Sequence, residues 1–344
     1  MREKINSLQG LRVISMIIIF LYNCELFPFG HLAVTFFFIL SGVVSYYSND
    51  KIQNISLSSS IKYYKNKIKK FYPVYLLTII LGLIVNYTVF SRYNLSKKIL
   101  IILSNVTLTQ AFIPNSDYYF SLNGVGWYLS SLVFCYLVFN MYNYYLNKIN
   151  ISPIIIIVTL WVIQALISLA IINLSYDTTQ WIIYINPIMR SINFLMGMLL
   201  AKIFINKRQK NITEDINYSK FEIIICVLFV VIYINSVFIP RAFIWSVYYS
   251  PIIMLIIYIF SFEKGAISKI LGKNIFVKLS AVSFEFYMIH QLIINICWNV
   301  IRYNRLIIAF SAIIISIILA VLLNKFSKLL KSIRLNSELI SKNI

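Results

Sequence analysis

Acid is scarce in this chain. Eleven Asp and Glu residues stand against 31 Lys and Arg in 344 positions, and charged residues make up only 12%. Hydrophobic residues make up 60%, and mean hydropathy is +0.81. No soluble globular domain of this length has that balance, so that class is excluded. Cysteine is sparser still. Cys24, Cys135, Cys226 and Cys297 all fall inside or at the ends of apolar segments. None has CxxC or zinc-ligand spacing, so they read as packing residues, not disulfides or metal ligands. Alternation of polar and apolar residues is missing from long runs such as 151–172, which excludes a membrane β-barrel. Two halves of matching hydropathy with paired broken helices are also missing, which argues against a repeat-built transporter. The first apolar run has no small-residue cleavage site and a second follows at once, so no cleavable signal is expected.

What remains is a series of apolar runs near 8–24, 32–48, 71–90, 125–146, 151–172, 181–205, 221–239, 243–262, 277–301 and 306–324. Each approaches the roughly 20 residues needed to span a bilayer. An eleventh run, 99–113, is short enough to lie at the interface. Charge decides its status. If it does not cross and the N-terminus is cytoplasmic, 22 of the 31 basic residues fall inside, six outside and three within spans. That asymmetry is what the positive-inside rule requires. The fold class predicted is all-α: one polytopic transmembrane helical bundle over 1–344, about ten spans, both termini cytoplasmic. The net charge of +20 then belongs to loops beside anionic lipid, and no nucleic-acid partner is expected.

Arg12 opens the first apolar helix, and Asn23 follows eleven positions later. Three helical turns put the two on one face, roughly 16 Å apart along the axis. A charged residue in such a span points to a functional site, or it snorkels to the headgroups as an anchor. Arg190 lies inside another span with no acid at close helical spacing, so a partner on another helix or a ligand anion is expected. Lys62, Lys65, Lys67, Lys69 and Lys70 form a basic cluster before Pro73, fit for donor phosphates or anionic headgroups. Trp127 and Tyr128 stand where a helix enters the membrane, as an aromatic belt or a sugar-binding surface. His290 is near mid-span, either a hydrogen-bonded structural residue or part of a site. Glu285 shares its helix but on a different face.

These pieces resemble the integral-membrane acyltransferase-3 family, the O-acyltransferases of cell-surface glycans. LRVISMIIIFLYN (11–23) resembles that family's first helix, and AVTFFFILSG (33–42) its second-helix signature. KIKKFYP (67–73) resembles its basic element before the third helix, and WYLS (127–130) its tryptophan motif. PIMRSINFLMG (187–197) and SFEFYMIH (283–290) resemble its later motifs. The resemblance implies an acyl-CoA donor, most often acetyl-CoA, a glycan acceptor hydroxyl, no metal, and a membrane location, here a bacterial inner membrane. It gives Arg12 the role of organising the site, and Lys67, Lys70 and Arg190 the role of holding the donor. Trp127 and His290 would complete the substrate cavity.

The departures from the pattern are all losses of titratable groups. The family's base histidine is Asn23 here, and an amide does not exchange a proton near neutral pH. The second-helix acid is Thr35, the acid of the proline–arginine motif is Asn193, and the glutamate after the tryptophan motif is Leu132. Three readings stay open. Glu25 or His31, just past Asn23, replaces the base. Or Asn23 serves by positioning and oxyanion donation. Or the chain keeps the fold as a binding scaffold without the chemistry. A polar glycan or lipid transporter is the remaining alternative. His31 also has a plain reading as a polar loop residue, and Asn23 as a capping or interhelical amide.

Overall fold

Proline marks where helices begin. Pro73, Pro153, Pro187 and Pro251 each sit in a helix's first turn, where the missing N–H breaks no ladder bond. In the computed structural model, residues 2–28, 30–50, 56–209, 217–301 and 304–340 are described. Among them there are helices and turns and no strand. Arg302, counted above with the outer basic residues, lies outside the described residues.

The first two helices are α1 (Asn6–Asn23) and α2 (His31–Ser48). Next comes α3 (Leu57–Ile68), closed by a Ser56–Ser59 capping box, and then α4 (Tyr72–Val85), bent 58° from it just before Pro73. A capping layer follows: α5 (Tyr87–Ser91), α6 (Leu95–Val106) and α7 (Ser116–Tyr119). Long α8 (Gly126–Lys148) and α9 (Pro153–Ala170) come next. Short α10 (Tyr176–Thr179) leads through a π-helical stretch, Gln180–Ile185, into α11 (Pro187–Gln209). After α12 (Tyr218–Asn235), α13 (Arg241–Ile244) and α14 (Ser250–Phe260), two short helices follow, α15 (Ala266–Leu271) and α16 (Asn274–Ser280). The last pair is α17 (Ser283–Ile301) and α18 (Arg305–Ile340).

Among the described residues, five helical stretches are long and apolar enough to cross a membrane, or seven if the bent pairs α3–α4 and α16–α17 each count as one. That is fewer than the ten apolar runs, for local reasons. α1 carries Asn6, Gln9 and Arg12, α8 carries Asn140 and Asn143, and α14 is only 11 residues long. The 99–113 run divides between α6 and a 3-10 turn, Gln110–Phe112. The twelve residues of α6 span about 18 Å, too short to cross.

The centre of the bundle is the crossing of α2 on α11. Both are mostly buried, whereas only 11% of α9 and 17% of the stretch containing α12 are covered. Glycine makes the crossing possible. A Cβ on Gly42 would overlap the Phe194 carbonyl, and one on Gly197 would overlap the Ile39 carbonyl. Helices driven together without a hydrophobic effect between them need such small-residue contacts. All four cysteines are free thiols.

Candidate active site

Two cavities lie end to end along the bundle, and the helices that line them do so in a consistent order. The smaller, about 170 Å³, is lined by Arg12, Ser41, Phe71, Tyr128, Tyr136 and Ser283, among others. The larger, about 570 Å³, is lined by Asn23, His31, Asn86, Trp127, Gln291 and their neighbours. Ile19, Val34 and Tyr287 belong to both walls. Along α1 the order runs Arg12, Ile19, Asn23; along α17 it runs Ser283, Tyr287, Gln291. α2 passes from His31 through Val34 to Ser41 in the opposite sense, as an antiparallel neighbour must. The small cavity is therefore at the end of the bundle where α1 begins, and the large one at the end where α1 stops.

Arg12 sits half-buried in the small cavity, and no carboxylate among the described residues pairs with it. The phenols of Tyr128 and Tyr136 flank it. A cation facing a cavity with no counter-charge is a place for an anion or for an oxygen gaining charge. Lys67 lies over the rings of Tyr63 at 5.1 Å and Tyr136 at 5.3 Å, which brings its charge to the same wall. Lys70 is exposed one turn further on.

The large cavity has different chemistry. Side-chain amides from Asn23, Asn86, Gln180, Gln291 and Asn295 alternate with tyrosines and Trp127. Its one acidic wall residue, Asp117, meets Lys97 at 2.5 Å. That hydrogen bond holds the Asp117 carboxyl below its ordinary range. Amides beside aromatic faces suit a neutral, hydroxyl-rich ligand. Trp127 is 5% exposed and packs on Tyr184 at 4.9 Å, so it is a cavity wall and not an exposed interfacial ring.

Asn23 is an interhelical amide. Its Nδ2 lies 2.8 Å from His290 Nε2, joining α1 to α17. On the other side of the ring, Nδ1 is 2.7 Å from the Tyr287 carbonyl. A carbonyl only accepts, so Nδ1 carries the proton and Nε2 receives the Asn23 N–H. His31 is no loop residue. It begins α2, faces the large cavity, and meets the rings of Tyr22, Tyr184 and Trp245 edge-on at 5.1, 5.2 and 5.7 Å. Glu25 takes no part in either cavity wall. It stands exposed at φ 58° after the helix end and pairs with Arg305 at 3.1 Å.

Arg190 also reaches neither cavity. It is wholly buried, donating from Nε to the Tyr184 carbonyl at 2.7 Å and from Nη2 to the Trp245 carbonyl at 3.1 Å. Nη1 reaches Thr35 Oγ1 and Asn193 Oδ1, both at 3.4 Å. These are two of the three positions where the resemblance expects acids. Arg190 is thus a brace that ties α2, α11 and the Trp245 turn together, with neutral partners where carboxylates would neutralise it. Thr35→Asp is expected to stabilise the protein by ~2 kcal/mol by giving this cation a charged acceptor. Thermal unfolding in detergent reads the change; an unaltered or lower midpoint contradicts the account of Arg190.

Tyr136 and Tyr287 were not singled out from the sequence. Tyr287 had a signal, three residues before His290 on one helix face; Tyr136 had none, being one tyrosine among 25.

An all-helical bundle with several helices long and apolar enough to cross a membrane defines a class, an integral membrane protein. The comparison with protein families is more specific. A family model described as an acyltransferase domain matches residues 5–325, and the chain belongs to this acyltransferase-3 family. No curated protein and no solved structure matches it.

Proposed function

We propose that this membrane acyltransferase moves an acyl group, acetyl before others, from cytosolic acyl-CoA to a hydroxyl of a cell-surface or exopolysaccharide sugar or its lipid-linked precursor. The observation that carries the reading is the contrast between the two cavities. The cationic small one, with Arg12 inside and Lys67 at its wall, suits a phosphate-bearing thioester. The neutral, amide-lined large one suits a sugar. They meet at Ile19, Val34 and Tyr287, where thioester and hydroxyl would be brought together.

In this reading the chain crosses the membrane ten times, with α1, α8 and α14 among the crossings, and both termini face the cytoplasm of a bacterial cell. Lys67 and Lys70 hold donor phosphates, Arg12 stabilises charge on the thioester oxygen, and Trp127 backs the sugar. Membranes containing the chain, given radiolabelled acetyl-CoA, are expected to place label in glycan as a base-labile ester. If only an Asn23→His variant labels glycan, the natural chain is a binding scaffold and the enzymatic reading fails.

A further inference from the structure

We infer that His290 is the general base of this protein, with the Asn23 amide as the movable group that covers it. The inference rests on the acyl-transfer reading above. It starts from the polarity of one hydrogen-bonded chain. The Nδ1–H of His290 is held by the Tyr287 carbonyl at 2.7 Å, which leaves the Nε2 lone pair free of a proton. That lone pair points at Asn23 Nδ2, 2.8 Å away, and Asn23 lines the large cavity. An amide therefore stands between an unprotonated imidazole nitrogen and the space an acceptor would fill.

The position is right as well as the polarity. Asn23 is one helical turn beyond Ile19 on α1, and His290 is one turn beyond Tyr287 on α17. Ile19 and Tyr287 are two of the three residues shared by the two cavities. The nitrogen thus lies beside the junction. Phe20 of α1 and Phe286 and Tyr287 of α17 pack around the imidazole. No carboxylate among the described residues pairs with it. Asn23 is the last residue of α1, so its side chain turns without disturbing a following helical turn.

When an acceptor enters, its hydroxyl displaces the Asn23 N–H from Nε2. The hydroxyl proton passes to Nε2 as the oxygen attacks the thioester carbonyl carbon. The carbon–sulfur bond then breaks, and the imidazolium returns the proton to the departing thiolate. The products are an O-acyl ester and free CoA, with the imidazole restored. A general base of this kind contributes on the order of 10²–10⁴-fold.

Transposition tests the assignment. In membranes given radiolabelled acetyl-CoA, His290→Asn is expected to lose more than about 100-fold of glycan labelling. The double variant Asn23→His, His290→Asn puts the imidazole on α1 and the amide on α17, and is expected to regain at least tenfold over the single variant. Asn23→Ala, which removes one hydrogen bond and no imidazole, is expected to lose less than tenfold. An active His290→Asn overturns the inference while the acyl-transfer reading stands. So does a double variant as inactive as the single one, or an Asn23→Ala as damaged as His290→Asn. If the natural chain labels nothing while Asn23→His does, it is the acyl-transfer reading that fails, and the inference falls with it.

Discussion

Arg12→Ala is expected to lower acyl transfer by about 10²–10³-fold, the usual cost of removing one donor to a developing oxyanion, and to leave the protein folded. The two halves of that result separate the roles open to Arg12. It makes no ion pair among the described residues, so its removal breaks no packed network. Taking a guanidinium out of an apolar helix is favourable for insertion, by ~2.5–3.5 kcal/mol at mid-span. A topology anchor would show the reverse pattern, with transfer kept and orientation or yield lost. Arg12→Lys keeps the charge without the planar fork and is expected to fall between natural and alanine rates. Rates of glycan labelling, with thermal unfolding of the same preparations, read both quantities.

The second large effect concerns packing alone. Gly42→Ala and Gly197→Ala each place a methyl group into a backbone carbonyl across the α2–α11 crossing. Backbone cannot step aside as a side-chain tip can. Each change is expected to cost ~3 kcal/mol or more and to lower the unfolding midpoint by about 4 °C or more. In the double variant the two helices must separate, and little folded protein is expected. Thermal unfolding in detergent reads this without any substrate. A midpoint within 2 °C of the natural chain for both single variants would show that the crossing is looser than described.

These two glycines and Arg12 all sit in stretches that resemble family motifs, yet they do different work. That difference was not legible in the sequence. Periodic apolar runs and scarce acid fixed the helical membrane class, since both are local properties of composition. Arg12 was legible because a cation in an apolar run is costly wherever it points. Arg190 satisfied the same rule, but its partners are carbonyls of Tyr184 and Trp245, which no side-chain pattern records. Asn23 and His290 are 267 positions apart, and only the packing of α1 on α17 joins them. His31 looked like a loop residue because its surroundings come from Tyr184 and Trp245, far along the chain. Glu25 looked available from its position, but the turn at φ 58° carries it outward to Arg305.

Donor and acceptor are expected to enter from opposite ends of the bundle. Sealed vesicles of both orientations, given radiolabelled acetyl-CoA in the bath, test it most directly. Inside-out vesicles are expected to label glycan, and an added esterase should remove the label only after the membrane is permeabilised. Right-side-out vesicles are expected to stay unlabelled until they are opened. Equal labelling of intact vesicles of both orientations, or label removed by esterase from intact inside-out vesicles, would contradict the account.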